Sequence, residues 1–142
     1  MKTTPLIEAS SLNHIEAAQL LLENGADVHA YNDMAYLSSC TSEMMQLTID
    51  YGADIYAYDW YDDGADDGGK SYSQFHALCE AGVTDKVRVL INAGVDINRQ
   101  NNDGCFTHST PLDRAIRGGH TDVIRLLIDN GAKSSDDVLS SL

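Results

Sequence analysis

Apolar side chains recur at Ile15, Ala18, Leu21 and Leu22, a spacing that predicts a helix burying one face. The helix runs into Gly25-Ala26-Asp27-Val28. A glycine directly after an apolar helix predicts a C-terminal cap at positive φ. Upstream stands Thr4-Pro5-Leu6. Threonine accepts hydrogen bonds from the first free helical N–H groups, and proline at the first helical position lacks only an N–H that would be unsatisfied anyway. The opening stretch therefore predicts two short helices joined by a turn, each apolar on one side.

The pattern returns along the chain. Thr110-Pro111-Leu112 leads through Val123-Ile124-x-Leu126-Leu127-Ile128 to Gly131-Ala132. Thr4 to Gly25 and Thr110 to Gly131 are equal spans of 21 residues. A third copy begins at Ser73-Gln74-Phe75-His76-Ala77-Leu78 and ends in Gly94-Val95-Asp96-Ile97-Asn98. A fourth closes in Gly52-Ala53-Asp54-Ile55 after Met44, Met45, Leu47 and Ile49. These phrases, with the turn Gly119-His120-x-Asp122-Val123, resemble the ankyrin repeat, whose period is roughly 33 residues with a T-P-L-H-x-A opening and two helices. The resemblance covers nearly the whole chain. It implies an all-α ankyrin-repeat solenoid of four helix-pair units in which stacking forms the core. The units fall at roughly 3–30, 31–58, 72–100 and 109–133, as one domain over 1–142.

The spacing between closing glycines is uneven, at 27, 42 and 37 residues. The second unit is short, lacks Thr-Pro-Leu, and is expected to have an abbreviated first helix around Met34 to Ser39. Residues 59–71 form an insertion before the third unit, and a smaller one lies near Cys105 to His108. In the resembled family these segments are finger-like loops between units, and insertions gather on one face, often the binding face. The tail, 134–142, brings Val138, Leu139 and Leu142 as a C-terminal cap over the last helix pair.

Composition narrows the function classes. The net charge is −13, which repels phosphate backbones and excludes direct nucleic-acid binding, while it speeds encounter with a basic protein surface. No run is apolar enough to cross a bilayer, and the start lacks the apolar core of a secretion signal. Three cysteines, Cys40, Cys79 and Cys105, make an odd count that argues against a disulfide framework. A cytoplasmic location follows as the expectation, in the protein's own cell or a host's, with no membrane attachment and a monomer favoured.

All seven tyrosines and the single tryptophan lie between Tyr31 and Tyr72. Tyr56, Tyr58, Trp60 and Tyr61 stand beside Asp59, Asp62, Asp63, Asp66 and Asp67. Tyrosine and tryptophan are enriched at binding hot spots, and aspartates beside them suit arginine or lysine on a partner. In the resembled repeat, alternation turns Ile55 and Ala57 inward, leaving Tyr56 and Tyr58 outward. These nine residues are the expected partner-binding site. The plainer alternative makes the rings padding for a defective second unit and the aspartates a solvated loop.

Other chemistry is weaker. The aspartates come in adjacent pairs rather than the alternating positions of a calcium loop. His76, Cys79, Cys105 and His108 make four candidate zinc ligands, but His76 and Cys79 occupy structural positions of the resembled repeat. His14 and His120 sit at inter-helix turns, again structural. No nucleophile–base spacing points to catalysis, and no cofactor is implied. The resemblance therefore implies a non-enzymatic protein-binding module. One reading is an inhibitor or immunity-type protein that neutralises a basic toxin or nucleic-acid-acting enzyme. The alternative is an adaptor or secreted effector that captures host proteins, and a third is a metal- or ligand-responsive sensor.

Overall fold

A computed structural model describes residues 3–60, 71–100 and 109–134. The chain divides into two compact units, 1–57 and 58–142. In the first, α1 (Pro5–Ser11) pairs with α2 (Ile15–Glu23), and α3 (Ala30–Leu37) with α4 (Ser42–Asp50). In the second, α5 (Gln74–Ala81) pairs with α6 (Thr84–Asn92), and α7 (Pro111–Gly118) with α8 (Thr121–Asp129). The fold is thus all-α, with four helix pairs among the described residues. The two described strands are β1 (Tyr58–Trp60) and β2 (Ser71–Ser73), three residues each. They pair antiparallel, with Tyr58 opposite Ser73 and Trp60 opposite Ser71. The expected loop over 59–71 therefore begins and ends as a ribbon.

Local chemistry sets the helix ends. The Thr4 hydroxyl accepts from the Ile7 N–H at 3.2 Å. Thr110 accepts from the Asp113 N–H at 3.3 Å, and the Asp113 carboxylate accepts from the Thr110 N–H at 3.0 Å, a reciprocal capping box. Pro5 and Pro111 each open a helix. Gly25, Gly52, Gly94 and Gly131 lie at φ between 89° and 96°, one residue after each second helix's cap, as their place in the sequence predicts. The aspartates that follow do a second job. Asp27, Asp54 and Asp96 each accept, through Oδ1, from the backbone N–H two residues on. This side-chain turn lets the chain leave one helix pair and enter the next segment.

Packing completes each unit. Leu6, Ala9, Ala18, Leu22, Ala35, Tyr36, Met44 and Met45 form the core of the first. Phe75, Cys79, Val87, Leu90, Leu112, Ala115, Val123 and Leu127 form that of the second. At the α7–α8 turn the His120 ring lies against Gly82 and Gly118, and a side chain on Gly118 would also meet the backbone carbonyl of Glu80. Only glycine admits so close an approach.

The second helix pair is the irregular one. α3 spans Ala30–Leu37, but Tyr31 and Asp33 in its first half take positive φ, so regular right-handed helix starts only at Met34, close to the abbreviated helix expected around Met34 to Ser39. The connection before it is short as well. Residues 24–29 alone separate α2 from α3, whereas 93–110 separate α6 from α7. With no threonine cap available, α3 starts differently. Tyr31 and Asp33 take φ of 53° and 61°, and Asp33 Oδ1 accepts both from the Asp54 N–H at 3.1 Å and from His29 Nδ1 at 2.8 Å. Its carboxylate ties the helix start to the turn that closes the same repeat.

Candidate functional site

Charge divides sharply along the chain. Residues 3–57 carry Glu8, Glu16, Glu23, Asp27, Asp33, Glu43, Asp50 and Asp54 and not one lysine or arginine. The described part of the second unit carries seven acidic side chains and seven basic ones. Two of its basic groups meet Glu80 at close range. Arg114, only 5% exposed, donates from Nη1 to Glu80 Oε2 at 2.7 Å and from Nε to the Ser109 hydroxyl at 3.2 Å. Arg117 Nε stands 3.7 Å from the other Glu80 oxygen. The excess negative field among the described residues therefore belongs to the first unit.

The expected nine-residue site is placed in part. Tyr56 is half-buried at the end of the first unit, and its N–H is held by Asp54 Oδ1 at 2.9 Å. Ala57 is buried, while Ile55 is half-buried like Tyr56. The segment is a turn, with the Ala57 N–H donating to the Asp54 carbonyl at 2.9 Å, so strand-like alternation does not govern it. Tyr58, Asp59 and Trp60 are backbone positions of β1. Tyr61, Asp62, Asp63, Asp66 and Asp67 lie outside the described residues.

Two other tyrosines add aromatic surface that sequence reasoning did not single out. Tyr31 is 47% exposed and Tyr51 is 40% exposed, both in the acidic unit. They belong to the same tyrosine-rich window that flagged the loop. Tyr36, from that window, is instead fully buried, and its hydroxyl donates to the Ile55 carbonyl at 3.5 Å. Burial pushes its phenol well above the usual range, with the nearby Asp54 and Asp33 carboxylates adding to the effect.

The candidate zinc set is half visible. His76 is buried, and its Nε2 donates to the Arg99 carbonyl at 2.9 Å and the Ser109 carbonyl at 3.2 Å. Nε2 therefore carries the proton. Burial lowers the ring's pKa to about 4, opposed by those two bonds and assisted by Arg114 and Arg99. Burial pushes the Cys79 thiol up to about 12. A neutral ring fastened to two carbonyls and a protonated thiol in the core are groups that hold the fold. Cys105 and His108 lie outside the described residues. Among the described residues no three His, Cys, Asp or Glu side chains gather as a metal site, and no helix is long and apolar enough to cross a membrane.

Comparison with known proteins agrees with this architecture. Residues 2–33 match the ankyrin repeat family and residues 75–128 match the ankyrin repeats (many copies) family. An ankyrin repeat protein of fowlpox virus (strain NVSL) is 29% identical in an alignment covering 94% of this chain and 29% of the relative. The chain thus spans less than a third of that relative's length. With four described helix pairs and both matches in place, the chain belongs to the ankyrin-repeat proteins. Ankyrin repeats are a protein–protein interaction scaffold that is not itself enzymatic, so the relevant chemistry is that of a surface.

Proposed function

We propose that this chain binds a protein with a basic surface and acts by occupying it, as an inhibitor or immunity-type protein does. The observation that carries the reading is the stretch 3–57, which holds eight carboxylates and no lysine or arginine. Asp59, Asp62, Asp63, Asp66 and Asp67 follow directly, interleaved with Trp60 and Tyr61. A one-signed field attracts an oppositely charged partner and raises the association rate, while aromatic anchors supply affinity. A toxin or enzyme acting on nucleic acid presents such a basic surface at its phosphate site. The fowlpox virus relative favours a second reading, an adaptor or effector that captures host proteins, and lethality linked to a neighbouring toxin gene separates the two.

The test pairs recovery of the partner by affinity capture and mass spectrometry with two substitutions, Tyr58→Ala and Trp60→Ala. Loss of a hot-spot side chain costs about 2 kcal/mol, roughly thirtyfold in Kd. The expected result is that loss with an unchanged Tm, and an association rate that falls as salt rises. If either variant unfolds while its folded fraction binds normally, the rings pack the fold and the loop is not the binding site. A salt-independent rate would mean that the charge serves solubility.

A further inference from the structure

An apolar groove opens on the first unit where α1 begins and the turn after α2 passes it. Pro5, Leu6, Leu21, Ala26, Asp27 and Ala30 line a volume of about 210 Å³. Pro5 and Asp27 are exposed, Leu21, Ala26 and Ala30 half-buried, and Leu6 buried. Leu20 and Tyr31, next in the chain to two lining residues, are 62% and 47% exposed. We propose that this groove seats one apolar or aromatic side chain from a segment of the partner in which lysine or arginine flanks that side chain.

Size and charge choose the occupant. Small-molecule pockets run to about 300 Å³ and above, so a cofactor or drug-sized ligand does not fit. A cavity of about 150 Å³ with aliphatic walls takes a benzene-sized group, so one side chain does. Asp27 stands in the wall, and Glu8 and Glu23 are exposed on the two helices that build it. Charges act over about 8 Å at physiological salt, so the Asp27 carboxylate in the wall acts on whatever enters. No lysine or arginine in residues 3–57 offsets them. Among the described residues of this unit a cationic flank meets only opposite charge, whereas an acidic segment, or the first unit of a second copy, meets its own sign. The inference rests on the reading of a basic partner and adds a contact made by residues other than those of the loop at Trp60.

The probe is a 12-residue peptide with a single central Phe and Lys/Arg flanks, beside two controls: the same peptide with Ala at the centre, and one with Glu flanks. Fluorescence anisotropy gives Kd, and backbone amide shifts locate the contact. The Phe peptide is expected to bind about tenfold or more tighter than either control, since one buried ring is worth at least that. Shifts should centre on Leu6, Leu21, Ala26 and Ala30. Ala30→Leu fills the groove from a half-buried position and should lose the same factor with Tm held. Asp27→Asn keeps the side-chain acceptor for the His29 N–H but removes the charge, and should weaken the basic peptide alone.

Equal binding of the Phe and Ala peptides, or shifts spread over all the carboxylates, overturns the proposal. Loss on Trp60→Ala in place of Ala30→Leu does so too, and leaves the loop as the basic-segment site. Concentration-dependent dimers abolished by Ala30→Leu would assign the groove to a second copy instead. If the natural partner responds to Trp60→Ala while the peptide ignores the groove, the basic-partner reading stands and the groove falls.

Discussion

Protonation of His76 should make the second unit acid-sensitive by a calculable amount. The ring titrates near 4 in the folded protein and near 6.5 in an unfolded chain. Between those values the unfolded state binds the extra proton, so stability rises with pH through this window. The neutral-ring advantage is complete above about pH 6.5 and is lost as pH falls to about 4. At about 1.4 kcal/mol per unit of pKa, the loss is on the order of 3 kcal/mol. Acid also neutralises carboxylates in a chain of charge −13, so the wild-type curve mixes two opposed effects. His76→Gln isolates the first, because glutamine retains a donor but has no titrating ring. Urea unfolding at fixed pH, followed by circular dichroism, gives ΔG for both proteins. The wild type should be the more stable at pH 7, and its advantage should shrink by about 3 kcal/mol by pH 4. Curves that stay parallel from pH 7 to 4 would refute the assignment of a buried, neutral, Nε2-protonated ring.

Two further substitutions test the packing. Gly118→Ala should destabilise by about 1–3 kcal/mol in thermal unfolding, although alanine in a helix ordinarily stabilises by about 1 kcal/mol, because the new methyl meets the Glu80 carbonyl and the His120 ring. A rise in Tm would show that the α7–α8 turn relaxes freely. Asp33→Ala should cost about 1–3 kcal/mol and speed amide exchange in α3 above that in α2, since it frees the Asp54 N–H and leaves alanine at positive φ; Asp33→Asn should recover most of the loss. Equal exchange in α3 for wild type and Asp33→Ala would mean that the carboxylate does not hold the helix start.

Much of the fold was written in short range. Thr4-Pro5 and Thr110-Pro111 carry their own caps, the glycines after α2, α4, α6 and α8 carry their own handedness, and Asp27, Asp54 and Asp96 bond to neighbours two residues away. Each depends on residues within one turn, so one sequence suffices to find it. The candidate site was legible only as composition, a run of tyrosine and aspartate, because composition does not say which rings a core will take. Tertiary packing made that choice, burying Tyr36 and exposing Tyr31 and Tyr51 from the same window. It also fixed the irregular start of α3, where Asp33 reaches Asp54 across 21 residues. It joined Arg114 to Glu80 across 34, a pair that no local pattern announces. Helix spacing and turn chemistry are local properties, whereas burial and long-range hydrogen bonds depend on which distant residues the folded chain brings within reach.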